Sequence, residues 1–312
     1  MMKVIDTHCD LLSRMLVDPA IRFNAEWSGA DVSLPRLLRG DVRVQFYALY
    51  LSEALLDRGM SPILRMIELM HEKVMLTDQI VLIKSVTDLN QIEAKGQIGG
   101  ILSLEGADGI GGNLENIERL FKLGVRFIGV TWNHANWAAD GVMESRGGGF
   151  TDRGRAMIEE CSRIGLILDV SHLSDRGFEE LAERSSCPFI ASHSNARKIC
   201  NHPRNLSDQQ IQTIIASGGR ISLTFVPWFL ADRQPNMTDL LRHIDHFCSL
   251  GGVKHIGFGS DYDGFADKIP GLTSPADYPE LANLLLSYYK EEEVKGFISQ
   301  NWWRFLQDNL PT

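Results

Sequence analysis

The chain lacks any apolar run approaching the ~18 residues that a membrane-spanning helix requires, which argues against a membrane-embedded protein. It also lacks a dense Lys/Arg block. With 31 basic and 40 acidic side chains its formal net charge is −9, which disfavours nucleic acid and anionic lipid as partners. Cysteine is sparse and unpatterned. The 5 residues Cys9, Cys161, Cys187, Cys200 and Cys248 form no C-x-x-C pair, so neither a disulfide framework nor a zinc ribbon is expected. Free thiols, and no leader ahead of the first apolar run, point to a cytoplasmic protein. No G-x-G-x-x-G follows the first apolar run, which removes the usual signature of a dinucleotide-binding sheet. Internal repeats, low-complexity tracts and linkers are absent as well.

What the chain does have is a succession of short Val- and Ile-rich runs separated by helical patterns. The runs are "KVID" from Lys3, "VRVQFYAL" from Val42, "IGGILSLE" from Ile98 and "VRFIGVTW" from Val125. Four more are "GLILDVSH" from Gly165, "PFIASH" from Pro188, "RISLTF" from Arg220 and "HIGFGSD" from His255. Apolar runs without alternation are what strands buried on both faces look like. Between them lie helical stretches such as 61–80, with Ser61 as cap, and 113–124, ending in Gly124. Eight strands alternating with helices over 312 residues predict a single-domain α/β protein, a (β/α)8 TIM barrel. From about Tyr278 onward the pattern predicts extra C-terminal helices packed on that barrel.

In such a barrel the chemistry sits at the C-terminal ends of the strands. The first run ends in His8-Cys9-Asp10, and the third in Glu105. The fourth runs into Trp132, Asn133 and His134. The fifth ends in His172, the sixth in His193 and the eighth in Asp261. Alternate residues of a strand share a face, so His8 and Asp10 point together into the mouth and Cys9 points away. Neutral imidazole combined with carboxylate suits a divalent cation of the zinc type. Taken singly, each residue has a plain structural explanation: a hydrogen-bonded histidine, or a carboxylate at a helix start. Five strand ends presenting such residues together favour a metal site, with room for two ions and one carboxylate between them. Asp6 has the same parity one step deeper and suits a hydrogen bond behind His8. His71, His243 and His246 fall within helical patterns, and His255 lies at the opposite end of its strand. His202 sits in a loop near Arg204.

At these residues the sequence resembles the membrane (renal-type) dipeptidases, zinc peptidases related to the amidohydrolase barrels. The matching stretches are "IDTHCDLL", "LSLEGADG", "ILDVSHLSD", "FIASHSNARKICNHPRNLSD" and "HIGFGSDYDG", with further similarity in "PGLTSPADYPELANLL" and "EEEVKGFISQNWWRFL". The resemblance spans nearly the whole chain and lies towards soluble bacterial members. It implies two Zn2+ per chain, with His8 and Asp10 on the first, His172 and His193 on the second, and Glu105 bridging. It implies hydrolysis of dipeptides by a hydroxide bridging the two ions, and whether a C-terminal D-residue is accepted stays open. Asp261 is then the acid–base group, and Arg204 in "HPRN" holds the substrate carboxylate. In the renal enzyme a histidine polarises the carbonyl where this chain has Trp132. His134 follows two residues later, and which of the two contacts substrate stays open. Oligomeric state is open too, with a homodimer among the options. The rival functions are hydrolysis of another carboxylate-bearing amide or a lactam, and a metal-binding protein without catalysis.

Overall fold

The computed structural model describes residues 2–312. Its centre is a parallel sheet of eight strands: β1 Val4–Asp6, β2 Val42–Tyr50, β3 Ile80–Leu82, β4 Ile98–Glu105, β5 Val125–Gly129, β6 Ile167–Asp169, β7 Ile221–Leu223 and β8 Ile256–Phe258. Seven of them run in the order β6-β5-β4-β2-β1-β8-β7, and β3 pairs with β4 outside that path. Every pairing is parallel. The C-terminal ends of the strands therefore gather on one side, and helices fill the connections.

The strand list departs from the sequence expectation at two places. The run at Pro188 is not a regular strand. Phe189–Ser192 lies between β6 and β7, joined by the single bridges Asp169↔Ile190 and Ala191↔Ile221. The other is β3, inside the stretch read as one helix over 61–80. The helix covers only Met60–Leu69, and a π-turn at Met70–Val74 ends it. β3 then takes the lower half of the β4 edge at Ile98–Gly100, and β5 takes the upper half from Leu102 to Glu105.

Strand periodicity sorts the core into two regions. Val44 and Phe46 of β2 pack with Ile5, Ile101, Phe127, Ile167 and Ile190, while Tyr47 and Leu49 face the outer helices. The C-terminal helices lie at Tyr278–Leu286, Glu291–Lys295 and Asn301–Asn309. The last does more than cover the sheet. Its Trp302 is buried against Phe46 and Phe127, with ring centroids at 5.6 and 6.3 Å, and its Nε1 donates to Ser222 Oγ at 2.8 Å. Gly257 makes this possible, because a Cβ there would collide with the indole ring. Among the described residues, no helix is long and apolar enough to cross a membrane.

Candidate metal centre

The end of β4 and the segments that directly follow β1, β6, Phe189–Ser192 and β8 deliver their side chains to one cluster; His8 and Asp10 thus lie past the last residue of β1, Asp6, and not on the strand itself. Glu105, the last residue of β4, stands at its middle. Its Oε2 is 3.3 Å from His8 Nε2, and its Oε1 is 3.0 Å from His172 Nε2 and 3.6 Å from His193 Nε2. Asp10 Oδ2 lies 3.6 Å from His8 Nε2, and Asp261 joins His8 and Asp10 within 4.8 Å. His8, Glu105 and His193 form a second such group. Cys9 is packed in the hydrophobic core, away from the cluster.

Two buried aspartates hold the strand ends in register. Asp6, which ends β1, accepts from Ser260 N at 2.9 Å, Ser260 Oγ at 2.7 Å and His8 N at 3.3 Å. Its bond is thus to the His8 backbone, not the imidazole. Asp169, which ends β6, accepts from Ser171 N at 2.9 Å and Ser192 N at 3.0 Å. The first pair aligns His8 with Asp261, and the second aligns His172 with His193. His172 and Asp261 themselves take left-handed backbone conformations, at φ 72° and 67°. Such conformations are strained for non-glycine residues and persist where the surroundings over-determine them.

The donor set fits divalent cations. His172 Nδ1 meets Asn133 Oδ1 at 2.8 Å, so its proton sits there and its Nε2 lone pair turns inward. His193 Nδ1 meets Ser192 Oγ at 2.8 Å, and its Nε2 is 2.9 Å from that of His172. When Ser192 Oγ accepts in the same way, two lone pairs face each other, an arrangement a cation relieves. Burial pushes His172 down to about 3 and His193 well below its ordinary value, so both stay neutral and ligand-competent. For His8 burial also opposes the charged form, but the Glu105 and Asp10 carboxylates outweigh it and raise its pKa well above the usual range. That side of the cluster attracts positive charge. Both ring nitrogens of His8 and Oδ1 of Asp10 are buried without a hydrogen-bond partner.

The cluster lies in a cleft of about 460 Å³. Trp132 lines it, its ring 5.2 Å from Tyr50 and 6.0 Å from His172. Arg204 also lines it. The guanidinium is buried, its Nη2 donates to the His193 carbonyl at 3.2 Å, and its Nε has no partner. Burial drops its pKa to about 10. Burial likewise pushes Asp261 up to about 7, with the Asp10 and Glu105 carboxylates adding to the rise and His8 and Arg204 opposing it.

The structure does not bring His134 into this group. Its imidazole is more than half exposed and lies 3.7 Å from Glu53. The turn after β5 sends Asn133 inward instead, onto His172. Tyr50, Asp169 and the aromatic wall of Trp228, Phe229 and Phe265 were not singled out in the sequence, and Asn133 stood there only as a neighbour of Trp132 and His134 without a role. For Asp169 a signal existed, since β6 ends "ILD" much as β1 ends "VID". His202 does line the cleft, where its Nδ1 accepts from Arg204 N at 3.1 Å. His243 is structural: its Nδ1 accepts from Ala196 N at 3.0 Å and its Nε2 meets the Leu230 carbonyl at 3.1 Å.

A histidine–carboxylate cluster at the strand ends of a TIM-barrel-like α/β fold, with the further carboxylate of Asp261 beside it, suits a metal-dependent hydrolase. Comparison with known proteins makes the assignment narrower. The chain belongs to the membrane dipeptidase family, peptidase family M19, whose model matches residues 1–309, and it is a metallo-dipeptidase. An uncharacterized protein in the pqqA 5′ region of Klebsiella pneumoniae is 32% identical over 237 residues, covering 72% of this chain and 87% of the relative. Dipeptidase AC, an M19 metallopeptidase, superposes with a TM-score of 0.92 at 28% identity, covering 100% of this chain and 99% of its own. A metallopeptidase from Rhodobacter sphaeroides, bound to a phosphinate mimic of the dipeptide L-Ala-D-Ala, gives a TM-score of 0.90 at 27% identity, with 99% of both chains covered.

Proposed function

We propose that this chain is a dinuclear zinc dipeptidase that cleaves free dipeptides, including those with a C-terminal D-residue. The observation that carries this reading is the placement of Glu105, one carboxylate oxygen facing His8 and the other facing His172 and His193. His8 and Asp10 would hold one Zn2+, His172 and His193 the other, with Glu105 shared. Bound there, the cations supply an activated water at neutral pH and polarise the scissile carbonyl. Asp261 takes a proton from the attacking water at its carboxylate and delivers it to the leaving amine nitrogen. Arg204 orients the substrate by holding its terminal carboxylate with a planar fork, which restricts cleavage to very short peptides. Trp132 and Phe229 wall the cleft and exclude bulk water. A mimic of L-Ala-D-Ala bound by the Rhodobacter sphaeroides relative supports the D-residue.

The same reading takes the chain as one domain whose sheet closes into a (β/α)8 barrel. The bridges from Phe189–Ser192 to both neighbouring strands support that closure. Five free cysteines suit a cytoplasmic location. The test measures zinc content and dipeptide hydrolysis for the wild type, Asp261→Asn and Glu105→Ala. The reading expects Asp261→Asn to keep metal and lose turnover, and Glu105→Ala to lose both. Full activity in both variants would refute it.

A further inference from the structure

The loop after β8 carries Asp261 and then continues along the cleft to Phe265. It is tied to a distant part of the chain by two aspartates, each binding the other's backbone. Asp263 accepts from Asp31 N at 2.7 Å and Val32 N at 3.1 Å, while Asp31 accepts from Asp263 N at 2.8 Å. Lys268 completes the arrangement, with its Nζ 2.5 Å from Asp31 Oδ2 and 3.9 Å from the centre of the Phe265 ring. Asp31 is anchored on its own side, where Arg36 donates to its carbonyl at 3.0 Å.

This clasp sits where the backbone most needs holding. Asp261 and Asp263 are both left-handed, at φ 67° and 70°, and neither is glycine. Each such residue is strained and persists only when its neighbours fix it. Between them and the wall stands Gly264, where a Cβ would collide with the carboxylates of both Asp10 and Asp261. The Asp261 carboxylate therefore stands in a slot with little slack, and the clasp sets the path of the loop that carries it.

We propose that Asp31, with Lys268, is a positioning residue for Asp261: the clasp to Asp263 fixes where the Asp261 carboxylate meets the reacting atoms. The proposal rests on the reading of Asp261 as the proton-carrying group. Neither Asp31 nor Lys268 belongs to the metal cluster, and Arg204 is held by a different loop. Loosening the clasp then acts on turnover and leaves substrate and metal binding in place. A displacement near 1 Å at a reacting group is worth about 100-fold in rate, so partial loosening corresponds to about 10- to 100-fold.

The experiment compares zinc-loaded wild type with Asp31→Ala, Asp31→Asn, Lys268→Met and Asp261→Asn, measuring kcat, KM, bound zinc and Tm. The expected result for Asp31→Ala is a kcat lower by about 10- to 100-fold with KM and zinc content unchanged. Asp31→Asn keeps an acceptor oxygen for Asp263 N–H and is expected to recover part of that loss. Lys268→Met, on the outer side of the clasp, keeps the test open if Asp31→Ala does not fold, and is expected to lower kcat alone. Wild-type kcat in Asp31→Asn and Lys268→Met, or losses that follow zinc content or Tm, would overturn the proposal. Collapse of turnover in Asp261→Asn beside an unaffected Asp31→Ala would refute the positioning role alone. Full turnover in Asp261→Asn would remove the role of Asp261, and the clasp proposal with it.

Discussion

Arg204 offers a quantitative test of how the cleft selects its substrate. Its guanidinium is buried, its Nε has no partner, and its pKa is depressed to about 10 because burial penalises the charge. A buried cation left under-satisfied is costly in the free enzyme, and in the proposed reading a substrate carboxylate relieves that cost on binding. A charge-assisted, two-point contact in this setting corresponds to about 2–4 kcal/mol. At 1.36 kcal/mol per factor of ten, Arg204→Met should lower kcat/KM for a dipeptide by about 30- to 1,000-fold. Most of the loss should fall on KM, because the carboxylate is held equally before and during the reaction. The assay is a cycle of four measurements: wild type and Arg204→Met, each with a dipeptide and with its C-terminal amide. The amide should be as poor for the wild type as the free acid is for the variant, and the variant should not distinguish the two. Tm should hold or rise, since the substitution removes a buried charge whose main protein partner is one carbonyl. A wild-type enzyme that cleaves the amide as well as the acid would refute the clamp. So would equal losses on both substrates in the variant.

Asp261, with its pKa raised to about 7, is protonated below that pH and cannot then accept a proton. Wild-type kcat should therefore fall as pH drops, with an acid limb at or below about 7 because bound cations favour the carboxylate form. Asp261→Asn should reduce kcat by about 100- to 10,000-fold, and an unchanged limb in the residual activity would disconnect it from Asp261. Chelation should abolish turnover and lower Tm, by an amount equivalent to about 4 kcal/mol if zinc had been present at 1,000 times its Kd; a scan unmoved by chelator would contradict the metal centre. His134→Ala should leave kcat/KM essentially as it was, since the imidazole faces Glu53 and solvent, and a large loss would place it in the cleft after all. Trp302→Ala should destabilise by about 3–5 kcal/mol in denaturant titrations, with kcat per folded molecule retained, because it opens the core at the end of the sheet away from the cluster.

Much of the fold was readable because parallel strands buried on both faces read as largely apolar runs without strict alternation, and β1, β2, β4, β5, β6, β7 and β8 all lie within such runs. The exceptions have physical causes. β3 is three residues long and follows directly on a helical pattern, so its apolar residues extend the helical periodicity. Phe189–Ser192 makes only single bridges on each side, too little for a regular strand, yet enough to aim His193. The role of Trp302 could not be read from its own helix. It depends on Gly257 and Ser222, which lie on β8 and β7 and leave space and a hydrogen-bond partner for the indole.

In the site, the legible residues were those whose chemistry limits them to a few types. A divalent cation of the zinc type is well served by imidazole and carboxylate, so His8, Asp10, Glu105, His172 and His193 stood out at the ends of the apolar runs as candidates. The groups that aim them were harder to see, because they act through backbone amides and short turns. Asn133 and His134 are neighbours, and the sequence left the substrate contact open between His134 and Trp132. The turn after β5 decides otherwise, directing the amide onto His172 Nδ1 and the imidazole outward. Asp6 and Asp169 show that part of this layer can be read. Each closes a three-residue apolar strand, and each accepts from the backbone N–H of a serine next to a site residue: Ser260 beside Asp261, and Ser192 beside His193. A carboxylate ending a fully buried strand must find donors nearby, because water cannot reach it. In a parallel sheet those donors lie at the ends of the adjacent strands. The two aspartates thus join the four corners of the cluster in pairs, His8 with Asp261 and His172 with His193, leaving Glu105 to connect the pairs.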